Sequence, residues 1–213
     1  MTQIIDIEVK CSVCGKTSEQ PALMSTNSWG YPDLDLRPPE MQRSTMNAWI
    51  QECPNCGYVA GNLEDELGIP EEFLKSDEYM NCSGLDFKLD LAARFYRGHL
   101  IANEKNDLER SFRRLHNCMW KCDDAQDPLA SDIRRLAIEV ADRLIEAGYE
   151  NRDTILLMKA DFMRRTGQFD EMIREYRDIF FDDENMNKVI QYQIEKSIKR
   201  DDGCYTTEEI FAR

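Results

Sequence analysis

Two five-residue motifs, C-S-V-C-G at 11–15 and C-P-N-C-G at 53–57, constrain this chain more than any other feature. Two sulfurs two residues apart on a tight turn can face one ion, and a glycine straight after the pair tolerates the left-handed backbone such a knuckle needs. Two knuckles supply the four corners of a tetrahedron, Cys11, Cys14, Cys53 and Cys56. Strand-like residues at 4–9 and 47–51 precede them, which predicts a small zinc ribbon whose hairpins hold the knuckles face to face. The expected cofactor is one structural Zn2+. The same four sulfurs also suit iron, because ligand type by itself does not separate the two metals. A thioredoxin-like redox pair is a poorer match, since it places one Cys-x-x-Cys at a helix start within a βαβ unit.

The other four of the eight cysteines, Cys82, Cys118, Cys122 and Cys204, lack that spacing. Cys118 and Cys122 lie one helical turn apart and could share a metal. They fall on the same predicted face as Leu108, Phe112, Leu115 and Met119, however, so they read as small core residues.

Between Cys14 and Cys53 stand 38 residues, against roughly 15–20 in a compact ribbon. The excess is a long loop rich in proline, with Pro32, Pro38 and Pro39 opposing regular structure. Long irregular loops in compact domains are functional or disordered, and this one carries too many large side chains for an idle linker. Trp29, Tyr31, Asp33, Asp35, Arg37, Glu40 and Arg43 form the candidate partner-binding loop. The competing reading folds Trp29, Leu34, Leu36 and Met41 back as a satellite core. The carboxylates Asp33 and Asp35 have no neighbouring nucleophile or histidine in sequence that would make them catalytic.

Downstream the period changes to that of helices. An acidic connector over 63–84 includes a helical turn or two after Pro70. Leu85, Leu89, Ala92, Tyr96 and Leu100 mark one amphipathic helix, and Leu108, Phe112, Leu115, Met119 and Cys122 a second. Leu129, Ile133, Leu136, Val140 and Leu144 mark a third, stopped by Gly148. Two more and a last one over 185–199 bring the expected stack to about six. Residues 156–179 resemble a tetratricopeptide repeat, with Ala160, Met163, Gly167, Phe169, Met172 and Tyr176 at its small, apolar and turn positions. The expected fold is mainly α: a zinc ribbon with inserted loop at 1–62, the connector at 63–84 and a tetratricopeptide-like domain at 85–213.

Charge limits the partners. The chain has 27 basic and 41 acidic residues, a formal charge of -14, and residues 1–84 carry 5 basic against 14 acidic. Phosphate polymers are repelled by such a surface, so no nucleic acid is expected. The basic run Arg110, Arg113, Arg114 and Lys121 reads as a solvated helix face. The opening MTQIIDIEVKC is acidic where a signal peptide is basic, and no window approaches eighteen apolar residues. A cytoplasmic protein with no membrane partner is expected, its cysteines thiols or metal ligands in a reducing compartment.

The order C-S-V-C-G, P-D-L-D-L-R-P-P-E, C-P-N-C-G-Y, H-N-C-M-W-K-C-D-D and A-D-F-M-R-R-T-G-Q-F-D resembles a bacterial domain-of-unknown-function family joining a CxxCG/CxxCG zinc ribbon to tetratricopeptide-like helices. The resemblance spans most of the chain. It implies Cys11, Cys14, Cys53 and Cys56 as metal ligands and implies no activity. The expected role is a zinc-binding module for a protein or peptide partner rather than an enzyme. A zinc- or redox-responsive regulator is the alternative. A metal-dependent hydrolase is weaker still, because His99 and His116 sit in no catalytic motif and read as ordinary helix-surface or interface residues.

Overall fold

A computed structural model describes residues 1–212, and the chain divides into two compact units, neither of them continuous in sequence. One comprises Met1–Trp29 and Glu40–Ala130. The other comprises Gly30–Pro39 and Ser131–Arg213.

The first unit begins with two hairpins. Strands β1 (Gln3–Lys10) and β2 (Thr17–Ser25) pair antiparallel from Lys10 opposite Thr17 to Gln3 opposite Ser25. Pro21 is tolerated because β2 has a free edge that asks nothing of a missing N–H. The second hairpin is much shorter. Strands β3 (Gln51–Glu52) and β4 (Val59–Ala60) are two residues each. The strand expected over 47–51 thus starts only at its last residue, because Met46–Ala48 wind into a 3-10 turn on which Trp49 Nε1 donates to Thr45 Oγ1 at 2.9 Å. The hairpins are tied by Gln20, whose amide donates to the Glu52 carbonyl at 2.9 Å.

Helices α1 (Glu40–Arg43), α2 (Glu71–Leu74) and α3 (Asp77–Met80) are single turns, the second following Pro70 as expected. Helices α4 (Asp90–Glu104) and α5 (Leu108–Asp124) fold back on one another around buried Phe95, Ile101, Leu115 and Met119. Asp107 caps α5 by accepting from the Arg110 amide at 2.9 Å. These two helices fall in the same compact unit as the ribbon, which ends at Ala130. The reason is a half-buried ionic seam: Arg94 and Arg97 of α4 both reach Glu52 of β3, at 3.0 and 2.6 Å. Tyr79 of α3 adds a hydroxyl bond of 2.6 Å to the Gly57 carbonyl.

The second unit is helical. Helix α6 (Leu129–Glu146) starts at the division; α7 (Arg152–Arg165), α8 (Phe169–Tyr176) and α9 (Glu184–Ile198) follow, and α10 (Glu208–Phe211) is one turn. Gly167, at φ 75°, lets the chain reverse between α7 and α8 within three residues. Leu156, Ala160, Met163, Met172, Tyr176, Ile190 and Ile194 form the core where α7, α8 and α9 meet. The chain is mainly α with a small amino-terminal β part, and the six longer helices follow the apolar spacing, except that α4 starts only at Asp90 and leaves Leu85 and Leu89 extended before it. Among the described residues no helix is long and apolar enough to cross a membrane.

Candidate metal centre

The two knuckles have the same backbone. In the first, the Cys11 amide donates to the Lys16 carbonyl and the Gly15 amide to the Cys11 carbonyl. In the second, Cys53 donates to Tyr58 and Gly57 to Cys53; all four bonds are 2.9 Å. Gly15 and Gly57 have φ of 70° and 72°, a region where a Cβ would be strained. The repeated C-x-x-C-G is therefore a repeated turn.

The turns bring four sulfurs together. Cys11 Sγ lies 3.8 Å from Cys56 Sγ, and Cys14 Sγ lies 3.6 Å from Cys53 Sγ. All four are within 4.8 Å of one another. A tetrahedral ion with metal–sulfur bonds of about 2.3 Å requires sulfurs about 3.8 Å apart, so the set fits one metal ion. Cys11 and Cys53 are buried, and Cys14 and Cys56 are half-buried.

Electrostatics point the same way. Burial raises the Cys56 thiol, with its sulfur neighbours adding to that, and burial likewise raises Cys11. At Cys14 burial also pulls upward, but the Lys16 amide and the sulfurs of Cys53 and Cys56 bring the thiol down to about 7. Four sulfurs this close cannot all ionise against one another's charge, and a cation among them removes the conflict. Amides of Val13 and Cys14 facing Cys11, and of Tyr58 facing Cys56, favour the thiolate forms.

The candidate loop divides in two. Trp29 is 78% exposed and Tyr31 45%, while Glu40 is exposed and Arg43 half-buried beside it at 3.9 Å. Asp33, Asp35 and Arg37 are buried in the second unit. There Asp33 forms a bridge with Thr206, the Leu34 amide donates to the Tyr205 carbonyl at 2.9 Å, and the Thr207 amide donates to the Pro32 carbonyl at 2.9 Å. Asp35 accepts from the Arg37 amide at 3.1 Å and lies 3.6 Å from the Arg165 guanidinium. Of the proposed satellite core, Leu34 is buried, whereas Leu36 and Met41 are exposed with Trp29.

One residue of this region gave no signal in the sequence. Arg164 is fully buried; it donates to Gln193 Oε1, to the Asp201 and Gly203 carbonyls at 2.8 Å each, and to Asp161 Oδ1 at 2.7 Å. Its position within R-R-T-G looks like an ordinary helix end. The histidines also differ from expectation: both are buried. His99 Nδ1 is 2.8 Å from Ser111 Oγ, and the His116 ring lies tilted with its centre 4.2 Å from that of Trp120. Cys118 and Cys122 are buried core thiols. Comparison with models of protein families, with curated proteins and with solved structures gives no match.

Proposed function

We propose that this protein is a zinc-binding protein–protein interaction module of the reducing cytoplasm, in which one structural Zn2+ fixes the ribbon and the protein surface beside it meets a protein or peptide partner. The observation that carries the metal part is the four-sulfur cluster at tetrahedral spacing. Zinc is favoured because closed four-thiolate sites on knuckles of this kind suit an ion with no geometric demand of its own. Four sulfurs fill a tetrahedral ion and leave no position for substrate, so hydrolysis gains no support here.

For the interaction part, the supporting feature is exposed apolar surface: Trp29 with Ile4, Ile5 and Ile7 of β1 in the first unit, and Tyr31 in the second. Family membership as read from the sequence rests on the same knuckles and is part of this proposal.

Metal analysis of the purified chain is expected to return about one zinc per chain, and X-ray absorption to return four sulfur ligands near 2.3 Å. Iron in that position, or a nitrogen or oxygen ligand, overturns the assignment. For the partner, intact chain is compared with Trp29→Ala/Tyr31→Ala in affinity capture; identical recovered proteins remove the aromatic pair from the interface. The half-exposure of Cys14 and Cys56 favours a second reading, a redox-responsive regulator. It requires zinc release by mild peroxide together with altered partner binding.

A further inference from the structure

We propose that Arg110, Arg113 and Arg114 of α5, with the chain around Gly61, form a binding site for a small tetrahedral oxyanion, a phosphate or phosphate monoester. Spacings of three and four residues place these side chains on one face of the first turns of α5. They line a cavity of about 170 Å³ together with Val59, Gly61 and Gly98, all within the first unit. That volume suits one phosphate group with a few waters.

Arg114 is the centre of the argument. Its guanidinium donates from Nη1 to the Trp49 carbonyl at 3.2 Å and lies 6.0 Å from the Phe95 ring. Among the described residues no carboxylate pairs with it, and no acceptor takes up Nε or Nη2. Two glycines keep its place open. A Cβ on Gly98 would come within 3.1 Å of Ile50 Cδ1 and 3.2 Å of Arg114 Cδ, and one on Gly61 within 3.3 Å of Arg114 Nη2.

The surrounding charges leave this cation short of anions. Arg110 pairs with Asp107 at 3.3 Å and Arg113 pairs with Glu109, but both pairs are solvent-exposed and are exchanged for a ligand at little loss. Asp65 is the remaining acid on the cavity wall and opposes an incoming anion. Burial first, then the charges of Arg113 and Arg110, lower the Arg114 guanidinium to about 10, with Asp65 acting the other way; it stays charged at neutral pH. Converging planar forks match the oxygens of a tetrahedral anion in a way that single ammonium groups do not. The wall itself is held firmly, since Ser12 Oγ and the Tyr58 hydroxyl both donate to the Asp65 carbonyl, at 2.9 and 2.7 Å.

The test is calorimetric titration of the zinc-loaded full chain with inorganic phosphate, with phosphoserine and acetate in parallel at equal ionic strength. One phosphate per chain is expected, with acetate much weaker; tighter phosphoserine than phosphate would identify the natural ligand as a monoester. Arg114→Gln is expected to weaken phosphate about tenfold or more. Arg113→Gln, at an exposed position, serves as the second variant should Arg114→Gln misfold, and is expected to weaken binding several-fold. Absence of binding and of thermal stabilisation at about 10 mM phosphate overturns the proposal, as does phosphate binding that neither substitution changes or acetate binding of equal strength.

Discussion

The two units solve one problem by opposite means. Each must hold irregular chain that has too little apolar surface to hold itself. In the first unit, two turns are gathered by four like sulfurs converging on a single point. In the second, the segment Gly30–Pro39 and the chain after α9 are gathered by a balanced set of buried ions in which Arg164, Arg165 and Arg37 face Asp161, Asp35 and Asp33. A metal supplies its attraction from outside the chain and is lost as one event. A buried ion network is part of the covalent chain, and its parts fail separately.

Removing the metal should therefore produce the largest effect and the most localised one. Cys53→Ser, or chelation, is expected to remove on the order of 10 kcal/mol of folding free energy from the ribbon. Hydrogen exchange reads this directly: β1 to β4 lose protection while the α7–α9 core keeps it. Protection of both regions in Cys53→Ser would end the contrast between them.

Next in size is Arg164→Met, which strands Asp161, Gln193 and two carbonyls in a dry site, for a loss of about 3–5 kcal/mol in urea denaturation. Arg164→Lys should recover little, because an ammonium cannot reproduce the planar fork that reaches four acceptors. A full recovery would show that charge, not geometry, holds this unit. Asp35→Asn is smaller: it weakens the contact with Arg165 and keeps an acceptor for the Arg37 amide, for about 1–3 kcal/mol by the same denaturation.

The smallest effect concerns acid. Asp201 is brought from 3.8 down to about 2, chiefly by the Tyr205 hydroxyl and then by the Gly203 amide and Lys196. A carboxylate lowered on folding stabilises above its ordinary pKa, and that contribution is lost as pH falls from 3.8 through about 2. The carboxylate is partly exposed, so solvent screening holds the contribution below about 1 kcal/mol. Tyr205→Phe should flatten this part of the acid denaturation curve, and an unchanged curve would dissociate Tyr205 from the carboxylate.

What could be read from the sequence follows from range. The four-sulfur cluster was legible because each knuckle is local: two sulfurs, a turn and a glycine within five residues, written twice. The six longer helices were legible because an apolar face repeats every three to four residues. The position of Asp33 and Asp35 was not, because their partners lie at Arg165 and at 204–206, and no local pattern announces an ion pair across that interval. Arg164 is hidden for the same reason, as it looks like any basic residue in a last helical turn. That α4 and α5 fall in the compact unit of the ribbon was not legible, because Glu52, Arg94 and Arg97 join chain on either side of the acidic connector. Arg114 stood in a basic run, yet its setting depends on Gly61 and Gly98, two glycines in separate elements.

The discontinuity of the second unit has a consequence for synthesis on the ribosome. Asp33 meets Cys204 across 171 residues and Pro32 meets Thr207 across 175. At about 5–20 residues per second, residues 30–39 wait about 9–35 s for their partners to be made. The first knuckle is translated before that interval and the second early in it. A nascent chain whose four sulfurs take up an ion can thus fix the two roots of the loop long before the loop's middle has anything to bind, which would shorten the search left for that segment when the last helices emerge.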